Sequence, residues 1–207
     1  RMGVYLSPWD RNHAAYGTPK YIEYYRAQLR ELLTDYGDIC EVWFDGANGG
    51  DGYYGGARER RTIDKRSYYG WGATWQIVRD LQPRACMFSD AGPDVRWVGN
   101  ERGIAGETCW ATVNREDFVP GEADRERLNR GDRPGTHWLP AECDVSIRPG
   151  WFYHPAEDDR HRDARHRFRR DGLSHDSRLA QPGGWPHQPG RQHGRLLSLS
   201  HAAHVFD

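Results

Sequence analysis

No apolar run in this chain approaches the ~18 to 20 residues of a membrane-spanning helix, so no membrane partner is expected. The opening residues, Arg1-Met2-Gly3-Val4, lack the regions of a signal peptide. An excess of charge of one sign is also missing: 29 Lys and Arg stand against 30 Asp and Glu, which leaves no global field to recruit nucleic acid. Cys40, Cys86, Cys109 and Cys143 show no CxxC spacing, and free buried thiols are expected rather than a disulfide or zinc framework. His13, His137 and His154 lack metal-ligand spacing, and neither a metal nor an organic cofactor is expected. No glycine-rich phosphate fingerprint follows a strand; Gly49-Gly50-Asp51-Gly52 and Gly55-Gly56 read instead as a flexible loop.

Apolar residues themselves run out near Pro155. From Ala156 to Asp207 there are nine Arg and seven of the ten His, but two Phe, one Trp and no Tyr, Ile or Met. Such a segment cannot bury much apolar surface, so residues 156–207 are expected to be an Arg/His/Gly/Pro-rich, disordered tail. Arg160 to Arg170 alternates basic residues without Lys, as a GC-rich gene read out of frame produces. A frameshifted segment is therefore preferred over a natural tail, and both over a nucleic-acid arm, which lacks its aromatic platforms.

What is present lies in residues 1–155, read as one partial catalytic domain. Strand signals fall at Val4 to Trp9, Glu41 to Asp45, Ala85 to Ser89, Val95 to Val98 and Trp138 to Ile147. Helical spacing falls between them, from Pro19 to Tyr36 and from Arg66 to Leu81. Alternation of this kind predicts an α/β fold with a parallel sheet, closed as a (β/α)8 TIM-like barrel or, second, as a doubly wound sheet. The chain opens in what reads as a strand interior, so an upstream segment is expected.

Cys40-Glu41-Val42-Trp43-Phe44-Asp45-Gly46 is the most informative stretch, because a buried strand that delivers an acid to its carboxyl end is how such a barrel presents a catalytic group. Other acids follow strand-like runs at Asp90, Glu101, Glu107, Glu142 and Asp144. Breaking a glycosidic bond needs one ionised and one protonated carboxyl. Asp45 and Glu101 fit that need, with Trp97 as an apolar wall beside the acid. The plainer alternatives are a capping role for Asp45, ion pairs of Glu107 with Arg102 and Glu142 with Arg148, and Trp residues that merely fill the core. Nine Trp in 207 residues is high, however, and sugar C–H faces stack on indole rings, so some are expected to line a site.

Four segments carry a family pattern: Gly3 to Asn12, Val42 to Asn48, Phe88 to Glu101 and Glu142 to His154. Together they resemble the family 29 glycoside hydrolases, the α-L-fucosidases. The resemblance implies a retaining exo-glycosidase that releases α-linked L-fucose from fucosylated oligosaccharides or glycoconjugates, with Asp45 as nucleophile and Glu101 as acid/base. It implies the subgroup that prefers α-1,3/1,4 linkages, with Glu107 as the fallback acid/base. Tyr5, Trp9, Trp43 and Trp151 become pocket walls, and His13 and Arg96 polar contacts. The family's N-terminal barrel strands have no counterpart, which implies a partial barrel; the parent enzyme is expected to be periplasmic or secreted by a bacterium. The alternative is an inactive truncated fragment or a weak carbohydrate-binding protein.

Overall fold

Pro19 opens the first helix, where its fixed φ suits the helical turn and its missing N–H is not needed. In chain order the computed structural model contains β1 (Met2–Tyr5), α1 (Pro19–Thr34), β2 (Ile39–Phe44), β3 (Gly52–Tyr54), β4 (Glu59–Arg61), α2 (Trp71–Leu81), β5 (Cys86–Ser89), β6 (Val95–Trp97), β7 (Thr112–Val113), α3 (Arg125–Arg130), β8 (His137–Trp138) and β9 (Ala141–Glu142). Residues 2–46, 52–122, 124–144, 146 and 154–157 are described. The tail from 158 onward, with the readings made of it, lies outside the described residues.

β1, β2, β5, β6 and β9 form one parallel sheet in that spatial order. α1 carries the chain from β1 to β2, and α2 from β2 to β5. Among the described strands the order never reverses, so the switch point of a doubly wound sheet is absent from them. β5 and β6 depart from the strand–helix–strand rule: they run parallel with only residues 90–94 between them, where a dozen or more are usual. The chain doubles back because Asp94 N–H donates to the Met87 carbonyl at 3.1 Å, while the Asp94 carboxylate accepts Met87 N–H at 2.8 Å and the Arg79 guanidinium.

Three expectations need correction. The strand predicted from Trp138 to Ile147 is two short strands: β8 pairs antiparallel with β7, whereas β9 joins the main sheet. Pro140, which has no N–H to continue a ladder, marks the break. The helix predicted from Arg66 starts at Trp71, because Asp64 accepts from Arg66 N–H and Ser67 Oγ and Gly70 takes a left-handed φ of 52°. The second part of the glycine-rich loop is the hairpin β3–β4, seated on the loop after β1. A Cβ at Gly56 would lie 2.0 Å from the Asn12 carbonyl oxygen, so this turn is a close backbone contact and not a free loop.

The sheet's outer face builds the core. Val42, Phe44 and Met87 pack against Tyr21, Tyr25, Leu29 and Leu33 of α1 and against Trp71, Ile77 and Val78 of α2. A second cluster holds Ala91, Val113, Phe118, Leu128 and Leu139. Arg96 also points outward from β6, fully buried. Its guanidinium donates to the carbonyls of Leu128 at 2.9 Å, Trp110 at 2.8 Å and Leu139, tying β6 to α3 and to the strands around β7.

Replacing Arg96 by Met would strand three buried carbonyls, each worth about 1–3 kcal/mol. Urea or thermal unfolding of Arg96→Met is expected to register a loss of about 3 kcal/mol or more; a loss below about 1 kcal/mol would contradict the clamp.

Candidate active site

Alternation along the strands sorts side chains onto two faces. On β2, Val42 and Phe44 face the helices, and Glu41 and Trp43 face the other way. Register then aligns Tyr5 with Trp43, Trp43 with Phe88, Phe88 with Val95, and Trp97 with Glu142 across this inner face. Trp43 is the centre of an aromatic row, 5.2 Å from Tyr5 and 5.1 Å from Phe88 between ring centroids. At the carboxyl ends of the strands stand Asp45, Asp90 and Asp144, with Glu101 on the loop beyond β6.

Asp45 directly follows β2. The Tyr5 hydroxyl donates to its Oδ2 at 2.6 Å, and the Ser7 hydroxyl donates to its backbone carbonyl at 2.7 Å. Ser7 Oγ in turn accepts the Trp9 N–H at 3.2 Å. Gly46 has a φ of 72°, and a Cβ there would meet Ser7 Oγ at 3.3 Å and Trp9 Cε3 at 3.5 Å, so Trp9 lies against the residue after the acid. Burial, and then the bond to Asp45, push the Tyr5 phenol above its ordinary range, which keeps it a donor at any working pH.

Glu101 is exposed on a turn that Asn100 shapes: its Oδ1 accepts Arg102 N–H at 3.0 Å and its Nδ2 donates to the Ile104 carbonyl at 2.9 Å. Gly99 fixes where the turn begins, since a Cβ there would lie 2.5 Å from the Arg125 carbonyl oxygen of α3. Trp97, expected as an apolar wall for Glu101, donates its indole N–H to Asp144 Oδ1 at 2.6 Å.

The inner face is electrostatically crowded. Burial pushes Asp144 up to about 6, with the negative charges of Glu101 and Asp45 adding and the Trp97 bond opposing. Asp90 also rises to about 6 through burial, opposed by the Gly121 N–H it accepts at 2.8 Å and aided by the charge of Asp45. Glu142 rises to about 7, through burial first and then the charges of Glu41 and Asp144. Sequence reasoning named these acids without choosing them; the signal for Asp90 was its place at a strand end, whereas Asp144 fell inside the run predicted as a single strand.

Not every predicted contact joins this group. Arg96 faces the opposite side of the sheet and is committed to carbonyls, which separates it from Asp45. His13 stacks on Tyr24 at 4.6 Å, and its Nδ1 accepts Ala15 N–H at 3.1 Å, so it braces the loop after β1. Glu107 is exposed and forms no ion pair with Arg102 among the described residues. Trp151 and Arg148 lie outside the described residues. All four cysteines are free and half-buried. Among the described residues no cluster of His, Cys, Asp and Glu could hold a metal ion, and no helix is long and apolar enough to cross a membrane.

An acid held by a phenol at a strand end, further carboxyls at the same edge of the sheet and an aromatic row beneath are groups that glycosidic-bond chemistry can use. The comparisons point to the same class. No family model matches. Over 157 residues the chain is 49% identical to Alpha-L-fucosidase 1 of Arabidopsis thaliana, a match spanning 75% of the chain but 29% of that protein. A glycoside hydrolase 29 family member from an unknown rumen bacterium superposes with a TM-score of 0.66 at 53% identity, over 77% of this chain and 28% of its own. A Ruminococcus gnavus GH29 fucosidase in complex with fucose gives a TM-score of 0.54 at 27% identity, over 75% of this chain and 34% of its own. The chain thus spans under a third of the length of the curated relatives it matches. Over that span the proteins it resembles bear the names α-L-fucosidase or glycoside hydrolase 29 family member.

The raised acids have a consequence for stability. An acid whose folded proton affinity exceeds the unfolded value holds its proton in the folded state only, so its contribution falls as pH rises between the two values. For Glu142 that window runs from the ordinary carboxylate range to about 7. Thermal melts at pH 5 and pH 8 are expected to show a smaller loss with rising pH for Glu142→Gln than for the unaltered chain; equal losses would contradict the burial of this acid.

Proposed function

We propose that this chain is part of the catalytic domain of a retaining exo-α-L-fucosidase, with Asp45 as nucleophile and Glu101 as acid/base. The observation that carries this reading is Asp45 at the carboxyl end of a central parallel strand, its side chain fixed by Tyr5 and its backbone by Ser7. The unreversed strand order favours a partial (β/α)8 barrel, whose catalytic groups lie at that end. Asp45 attacks the anomeric carbon as the glycosidic C–O bond breaks, and Glu101 gives its proton to the leaving oxygen. Glu101, now ionised, takes a proton from water, which attacks the same carbon and frees Asp45. Two inversions return the original configuration. Tyr5, Trp43 and Trp9 offer the aromatic wall for the sugar, and the substrate is a fucosylated glycan, with α-1,3/1,4 linkages favoured.

A second reading, a weak sugar-binding fragment without turnover, draws on β1: it lies at the edge of the described sheet with Met2 44% and Tyr5 38% exposed. The two readings part in one experiment on the longest polypeptide that carries this chain. Asp45→Gly is expected to abolish fucose release from a Lewis-type trisaccharide, and azide is expected to rescue it with an inverted fucosyl azide. On an aryl α-L-fucoside, whose leaving group departs without protonation, Glu101→Gly is expected to give the retained azide instead. More than about a tenth of the activity left in Asp45→Gly would sink the nucleophile assignment, and azide products with neither variant would remove the pair.

A further inference from the structure

The two side-chain oxygens of Asp45 stand in different surroundings. Oδ2 accepts the Tyr5 hydroxyl at 2.6 Å, whereas among the described residues no group donates to Oδ1. An ionised carboxylate only accepts, so the phenol is the donor, and an O–H bond of this length to a charged oxygen is of the strong kind. The aim of that donor is set from beneath. Tyr5 and Trp43 are partners in the register of β1 with β2, their rings meet edge to face at 5.2 Å, and Phe88 backs the indole at 5.1 Å. Two residues further on, Ser7 holds the Asp45 carbonyl at 2.7 Å, so one strand end grips both the side chain and the backbone of the acid. A pocket wall needs only the ring of Tyr5. A hydroxyl directed at one carboxylate oxygen does more.

We infer that Tyr5 is a positioning residue for Asp45 and divides the work of its two oxygens: the phenol holds Oδ2 throughout, and Oδ1 is the atom that attacks the anomeric carbon. The inference rests on the fucosidase reading, which supplies the reaction. In the first step the bond from Oδ1 to the anomeric carbon forms while the bond to the leaving oxygen breaks, and Glu101 gives that oxygen its proton. Asp45 becomes a neutral ester, and the hydrogen bond to Oδ2 weakens with the loss of charge. In the second step water attacks the anomeric carbon and gives a proton to Glu101, while the electron pair of the ester bond returns to Asp45. Negative charge then reappears across both oxygens, so the bond from the phenol strengthens on the way to that transition state. Tyr5 therefore speeds breakdown of the intermediate more than its formation.

Tyr5→Phe, made in the longest polypeptide that carries this chain, removes the hydroxyl and keeps the ring. On an aryl α-L-fucoside with an activated leaving group, breakdown of the intermediate is expected to slow by about 10- to 100-fold, the range for a hydrogen bond to a charged group. The intermediate then accumulates, so kcat and KM are expected to fall together, with kcat/KM held within about threefold and a stoichiometric burst of phenol before the steady state. A 3-fluorotyrosine in place of Tyr5 keeps the ring and donates more strongly, and it is expected to rescue kcat by about tenfold or more over Tyr5→Phe. A fall in kcat with KM unmoved and no burst is what a merely structural role gives, and it would overturn the proposal. Unaltered kinetics in Tyr5→Phe, or no rescue by the fluorinated residue, would do the same. If the unaltered polypeptide releases no fucose, the fucosidase reading falls and the role of Tyr5 with it; turnover by the unaltered polypeptide without a burst in Tyr5→Phe removes the role of Tyr5 alone.

Discussion

Two phenol hydroxyls at the back of the sheet hold the front of the site in place. From α1, Tyr21 donates to the Pro8 carbonyl at 3.0 Å and Tyr25 to the Leu6 carbonyl at 2.9 Å. Between those carbonyls sits Ser7, which grips the backbone of Asp45, and just beyond them Trp9 lies against Gly46. Burial raises both phenols well above their ordinary range, so neither donor is lost to ionisation. The helix that fills the core therefore also fixes the loop that positions the acid. Tyr16 extends the same arrangement: its hydroxyl meets that of Tyr69 at 2.6 Å, and its ring packs 5.3 Å from Tyr54 on the hairpin. Arg11 completes the seam by donating to the Tyr53 carbonyl at 2.6 Å and lying over the Tyr54 ring.

The sheet separates two kinds of chemistry. Its outer face is apolar apart from Ser89, whose hydroxyl donates to the Gly92 carbonyl, and Arg96, a cation tolerated because carbonyls surround it. Its inner face carries Glu41, Glu142 and Asp144, whose burial favours the protonated form. Crowding buried acids there lowers stability at neutral pH, because each must lose a proton that the folded state favours keeping. Asp45 escapes the depth of that face because it stands past the last residue of β2, exposed, with a fixed donor.

Much of this was legible in the sequence. The apolar approach to Asp45 identified a central strand, and helical spacing from Pro19 identified α1, because those residues pack in the period their structure imposes. Arg96 was harder. Valines and a tryptophan surround it, so composition gave no face, although parity did: if Trp97 points inward, its neighbour Arg96 must point outward. Asp144 was hidden inside a run that read as one long strand, and the break at Pro140 that brings β9 beside β6 depends on a carbonyl accepting Arg96 N–H from another element. The tight return from β5 to β6 is equally nonlocal, since it relies on Asp94 reaching back to Met87.

The central claim is that Asp45 becomes covalently bonded to the sugar. A 2-deoxy-2-fluoro-fucosyl fluoride slows breakdown of such an intermediate more than its formation, so the protein can be trapped, digested and mapped by mass spectrometry. The account predicts a fluorofucosyl adduct on the peptide that contains Asp45, lost when Asp45 is replaced by Gly. An adduct confined to another carboxylate, Asp90 or Asp144 included, would contradict it.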